Sequence, residues 1–192
     1  MTLFDLLFAA SFLTVTAAGA VAAALAIRGK RRKSFRLIVG IATYVVVYLL
    51  AEVVVSVASP PRDFRLNERQ CFDDWCFAAE HVDRHPDGER HVYTVTFRIS
   101  SRARRRQQRE RGVGVYLLDD RGRRYEPKSD AQAVPFSRLL QPGASYVATR
   151  QFAAPADATI LGVVLTHGKF PGIFIISDDN SFLHRPSIVR FP

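Results

Sequence analysis

Two cysteines with four residues between them, Cys71 and Cys76 in "RQCFDDWCFAAE", are the side chains best placed by type and spacing to do chemistry. Three chemistries are open to such a pair: a metal clip, a redox centre or a disulfide. A zinc site needs four ligands, and these are the only cysteines in the chain. A thioredoxin-type centre has two residues between its cysteines, not four. A disulfide remains, provided that the segment meets an oxidising compartment. If Asp73 and Asp74 form a two-residue turn, Phe72 faces Trp75 and Cys71 faces Cys76. The outer of those two pairs is the close, non-hydrogen-bonded kind, with Cα atoms about 4.5 Å apart and within disulfide reach. A short helical turn at Asp-Asp would serve as well. The ring is small, so the bond is a modest local staple; the functional alternative is an exposed redox switch.

Other reactive types are present without a matching pattern. His81, His85 and His91 crowd "EHVDRHPDGERH", where a hairpin turning at residues 86–88 would let His81 approach His91, with Glu80 or Glu89 as a further ligand. No metal-binding spacing is met, and histidine on a hairpin surface is the simpler reading, so no metal is assigned. The pairs Asp73-Asp74, Asp119-Asp120 and Asp178-Asp179 lack the closing Glu of a calcium loop, and turn-capping explains all three. Neither a nucleophile elbow nor a phosphate-cradling glycine loop occurs. The reading is a protein without catalytic residues or cofactor.

The densest charge lies in "SRARRRQQRERG", where Arg102, Arg104, Arg105, Arg106, Arg109 and Arg111 are offset by Glu110 alone. Like charges at this density resist burial and belong on a loop. The plain account is a solvated loop. The sharper one is an anion-binding finger, since guanidinium forks match phosphate and carboxylate. Aromatic residues are not interleaved as single-strand nucleic-acid binding requires, which favours lipid head groups, anionic envelope polymers or an acidic protein over nucleic acid.

The elements that would carry these groups divide sharply at Pro60. Residues 6–27 contain no charge, and residues 37–58 contain one, Glu52. Each would span roughly 33 Å as a helix, enough for the hydrocarbon core. The connector at 28–36, "RGKRRKSFR", holds six basic residues, so it stays cytoplasmic and both ends of the hairpin lie outside. The start "MTLFD" has no basic region, which favours a retained first span over a cleaved signal. Counted from the outer boundary, Glu52 and Ser11 fall at similar depth. A hydrogen bond from Ser11 or Thr14 to Glu52 is therefore one expectation; snorkelling of Glu52 to the interface is the other.

Residues 60–192 read as an all-β immunoglobulin-like sandwich of seven to nine strands outside the membrane. In "RHVYTVTFRIS", Tyr93, Val95, Phe97 and Ile99 share one face. Turns are expected at His85-Pro86-Asp87-Gly88, at Asp119-Asp120-Arg121-Gly122 and at Pro142-Gly143, and "TILGVVLTHG" and "GIFIIS" read as core strands. Together with "CFDDWC", the stretches "LLDDRGRRYEP", "LLQPGASY" and "ISDDNSFLHRPSIVRF" resemble a group of bacterial membrane-anchored or secreted immunoglobulin-like domains of unknown function, over most of residues 64–191. That resemblance implies fold and location and supplies no catalytic residue. The reading is a non-enzymatic binding or assembly module of the cell envelope, with the bilayer and an envelope protein or anionic polymer as partners. The alternative is an accessory membrane subunit whose hairpin is the interface, through Glu52, Ala17, Gly19, Ala22 and Ala23.

Overall fold

The structure, a computed structural model, describes residues 3–168, 172–176 and 180–192. Among these residues, two apolar helices, α1 (Leu3–Ile27) and α2 (Arg31–Ala58), lead into nine strands arranged as two sheets. The chain forms two compact units: Met1–Pro60 together with Phe170–Arg185, and Pro61–Lys169 together with Pro186–Pro192.

In the helical unit, both helices are long and apolar enough to cross a membrane. Hardly any of either apolar window is covered by protein, unlike the core helix of a soluble domain. The turn between them is shorter than the sequence suggests. Only Arg28, Gly29 and Lys30 lie outside the helices, and Gly29 takes the left-handed conformation (φ 74°) that lets the chain reverse. Most of the basic cluster therefore sits on the first turns of α2. Ser34 Oγ donates to the Ala22 carbonyl (2.8 Å), and Ser11 and Tyr44 share a hydroxyl–hydroxyl bond (2.7 Å). These two contacts set the antiparallel register.

The apolar run "GIFIIS", expected as a core strand, is not one. Gly172–Phe174 is a 3₁₀ turn closed by Ile175 N–H donating to the Gly172 carbonyl (3.0 Å), and residues 170–185, expected within the sandwich, belong to the helical unit. A strand needs a ladder partner. Here the Phe174 carbonyl accepts instead from the Tyr48 hydroxyl (2.8 Å).

The second unit is the sandwich. Its four-stranded sheet runs β2 (Gln70–Phe72), β3 (Trp75–Asp87), β4 (Arg90–Ser101), β7 (Ser145–Pro155). The five-stranded sheet runs β1 (Asp63–Phe64), β9 (Ile188–Arg190), β8 (Ile160–Thr166), β5 (Gly114–Asp119), β6 (Arg124–Tyr125), with β1 and β9 parallel. Strand alternation decides what faces inward: Tyr93, Val95, Phe97 and Ile99 are all buried, while Arg98 between them is exposed. They pack with Trp75, Phe77, Phe152, Leu117 and Val163 in one core. Tyr146 donates its hydroxyl to the Phe136 carbonyl ten residues upstream (2.7 Å), fastening the loop before β7 to the sheet.

The β3–β4 hairpin turns at Gly88-Glu89, not at His85–Gly88, because Asp87 pairs with Arg90 and Pro86 with His91. The turn sits where glycine can take φ 58°. The turns at Asp119–Gly122 and Pro142-Gly143 stand where the sequence places them.

Candidate functional site

Cys71 and Cys76 form a disulfide, with their Cα atoms 4.0 Å apart. The register beneath it is Phe72 against Trp75 and Cys71 against Cys76 around a turn at Asp73-Asp74, where Asp73 holds φ 51°. Aspartate tolerates the left-handed region better than most residues, which lets this pair replace Asn-Gly.

The staple borders the arginine loop. Arg102 N–H donates to the Asp74 carbonyl (2.7 Å), and the Arg102 guanidinium reaches to 4.0 Å from Cys71 Sγ. At the loop's far side Gln108 and Leu140 exchange both backbone hydrogen bonds (2.9 and 2.8 Å), and Arg109 Nε donates to the Ser137 carbonyl (2.7 Å). Ala103 is buried, and its N–H donates to Ser101 Oγ (3.2 Å). The loop is thus pinned around its three consecutive arginines. Arg104, Arg105 and Arg106 are exposed and line a 550 Å³ cleft with Arg102, Asp74 and Gln108. Arg111 is exposed further on, and Glu110 pairs with His167 (3.7 Å).

On the other side of Arg102 lies a second cleft of 460 Å³, on the outer face of the four-stranded sheet. Its charged lining is Arg69, Arg98, Arg102 and Glu80, with Ser100 and Ser145 beside them. Arg98 holds Glu80 through two donors, Nε to Oε1 and Nη2 to Oε2, which raises the Arg98 pKa above its ordinary value. Arg102 is common to both clefts, so six guanidinium groups form one basic tract. Four were singled out by the density of the loop. Arg69 and Arg98 were missed: each is a single arginine, one ahead of a strand and one on the outward face of a strand, and only strand pairing brings them to the loop.

The histidines do not assemble. His81 is paired in register with Thr96 and bonds Asp83 (3.0 Å), whereas His91 bonds Arg84 (2.8 Å). No group of three potential metal ligands occurs among the described residues. Asp119 is a turn cap of unusual completeness. Its buried carboxylate accepts from Arg121 N–H (3.0 Å), Arg123 N–H (2.7 Å), Arg123 Nε (2.6 Å) and Tyr125 Oη (2.9 Å). Burial alone would push its pKa up; the hydrogen bonds from Arg123, Tyr125 and Arg121 outweigh that and bring it down to about 2. Asp178 and Asp179 lie outside the described residues.

Glu52 and Ser11 have separate partners. Ser11 is level with Tyr44, eight residues and about 12 Å along α2 from Glu52. The tight turn sets this register, so matching both spans to the outer boundary gave the wrong pairing. Thr14 bonds back to the Ala10 carbonyl (2.8 Å) within its own helix. Glu52 is buried at 1% exposure, and its Oε1 accepts from Phe182 N–H (2.9 Å). Among the described residues, then, the bond to Glu52 comes from Phe182 and not from Ser11 or Thr14.

No protein-family model matches the chain, and neither does any curated protein. Among solved structures, it is similar to the secreted protein MPT63 of Mycobacterium tuberculosis, with 11% identity, 58% of this chain and 93% of that one covered, and a TM-score of 0.44. It is also similar to an uncharacterised β-sandwich protein of Clostridium difficile 630, with 8% identity, 70% and 97% coverage, and a TM-score of 0.42. A conserved hypothetical protein of Bacillus anthracis gives 9% identity, 54% and 89% coverage, and a TM-score of 0.39. The sandwich assignment rests on the strand pairing described above.

Proposed function

We propose that this chain is a membrane-anchored, extracytoplasmic, non-enzymatic binding module of the bacterial cell envelope that recognises an anionic surface or an acidic protein partner through its arginine tract. In this reading α1 and α2 cross the bilayer as a hairpin, the basic turn stays in the cytoplasm, and both termini and the sandwich lie outside. The disulfide supports the outward placement, because such a bond persists in an oxidising compartment.

One observation carries the binding role: Arg104, Arg105 and Arg106 stand exposed and adjacent on a loop fixed at Asp74 and Leu140, and the charge continues through Arg102 to Arg69 and Arg98. A loop held in place loses less conformational freedom on binding than a mobile one. Within the tract Glu80 offsets Arg98, while Arg104, Arg105 and Arg106 stand open to solvent, so binding through them is expected to weaken as ionic strength rises.

The test uses the full chain in zwitterionic nanodiscs, titrated with phosphatidylglycerol vesicles and separately with poly-glutamate. Salt-sensitive binding that is lost when Arg104, Arg105 and Arg106 become Ser is expected; the vesicle and polypeptide arms tell lipid from acidic protein. Equal, salt-insensitive binding by both forms removes the proposal. The accessory-subunit reading is weakened by Glu52, the polar group it relies on, because the segment before β9 already occupies that carboxylate.

A further inference from the structure

We propose that two short apolar touches of the β8–β9 connection, residues 172–176 and 181–183, are embedded in the outer half of the bilayer and present Phe174, Phe182 and Leu183 to lipid. This rests on the reading of α1 and α2 as a membrane hairpin.

Depth is the first argument. The Phe174 carbonyl accepts from Tyr48, and Phe182 N–H donates to Glu52 (2.8 and 2.9 Å). Tyr48 lies about 15 Å, and Glu52 about 9 Å, along the helix from Ala58. Segments attached there sit below the outer end of α2. The same antiparallel register brings Glu52 level with the first turn of α1, which marks where the shorter helix begins.

Satisfaction of the backbone is the second. Non-helical chain is tolerated at membrane depth only where its polar groups find protein partners. Ile175 N–H donates to the Gly172 carbonyl (3.0 Å), Ser181 Oγ donates to the Ile175 carbonyl, and His184 N–H donates to the Ser181 carbonyl (3.0 Å). The gain is mutual: an acid within an apolar span needs a donor, and Phe182 N–H supplies it.

The surface left over is the third. Phe174, Phe182 and Leu183 are 41%, 51% and 58% exposed, beside helices whose own outward faces are Leu, Val and Phe. In water that patch would be a liability; against acyl chains it continues the lipid-facing surface of the hairpin. Leu183 also holds φ 63°, a conformation a bulky side chain keeps only when its surroundings enforce it.

Spin labels on single added cysteines in the full, disulfide-bonded chain, reconstituted in phosphatidylethanolamine–phosphatidylglycerol vesicles, test this. Labels at Phe174→Cys and Phe182→Cys are compared with Val46→Cys on the outward face of α2 and Gln132→Cys on an exposed sandwich loop. Collision with oxygen at Val46-like rates, and a severalfold loss of collision with a water-soluble nickel chelate relative to Gln132→Cys, are expected at both sites. Nickel access equal to that at Gln132→Cys overturns the proposal. Shielding from both relaxants also overturns it, and points to a protein, such as a second copy, on this surface. If the Val46→Cys label is itself open to nickel, the hairpin reading has failed instead.

Discussion

Replacing Asp119 by Asn removes the charge on which four donors converge and turns an amide toward the Arg123 guanidinium, donor against donor. The melting temperature is expected to fall by several degrees at pH 7. Because the folded carboxyl titrates at about 2, below its ordinary 3.8, the stability it contributes is complete above about pH 4 and fades as the pH falls to about 2. Melting curves of wild type and Asp119→Asn should therefore converge through that window; a constant gap would refute the assigned role. Opening the small Cys71–Cys76 ring, with both residues changed to Ser, should cost roughly 2 kcal/mol in denaturant unfolding by the chain-entropy relation. The pairing was legible from the spacing because a two-residue turn leaves little choice of partner. The full role of Asp119 was not: "DDRGRRY" announces a turn, but only the folded hairpin brings Arg123 and Tyr125 onto one carboxylate.

Secondary-structure elements show the same division between what alternates and what is merely apolar. The face shared by Tyr93 to Ile99 could be read directly, since period two has one solution in a half-buried strand. "GIFIIS" was ambiguous, because a short apolar run fits a sandwich strand and a segment docked on membrane helices equally well. Its attachment can be probed at Glu52. Glu52→Leu leaves Phe182 N–H without its acceptor, at a cost of about 1–3 kcal/mol, and should speed proteolysis within residues 172–185. Glu52→Gln keeps an acceptor oxygen and should resist protease nearly as wild type does; equal protection of the Leu form would contradict the contact. Within the sandwich, Gly162 faces the Val189 carbonyl so closely that a Cβ would overlap it. Gly162→Ala is expected to loosen β8 from β9 and destabilise the domain by about 1–3 kcal/mol in chemical denaturation.

At the level of the whole chain, charge and grease are segregated. The 59 residues before Pro60 carry two acids and six bases, all six bases within 28–36, and the remainder carries the arginine tract. That division made the two-part architecture plain from sequence alone. What composition could not reveal is that the chain leaves the sandwich after β8, joins the helical unit, and returns for β9. The arginine tract likewise needed the fold, because Arg69 and Arg98 meet Arg102 only across paired strands. Every functional reading here depends on the sandwich facing outward. A dual alkaline phosphatase–green fluorescent protein reporter fused after Pro192 measures this most directly. High phosphatase activity with little fluorescence is the expected result; a fluorescent, phosphatase-inactive fusion would place the arginine tract in the cytoplasm and contradict the proposal.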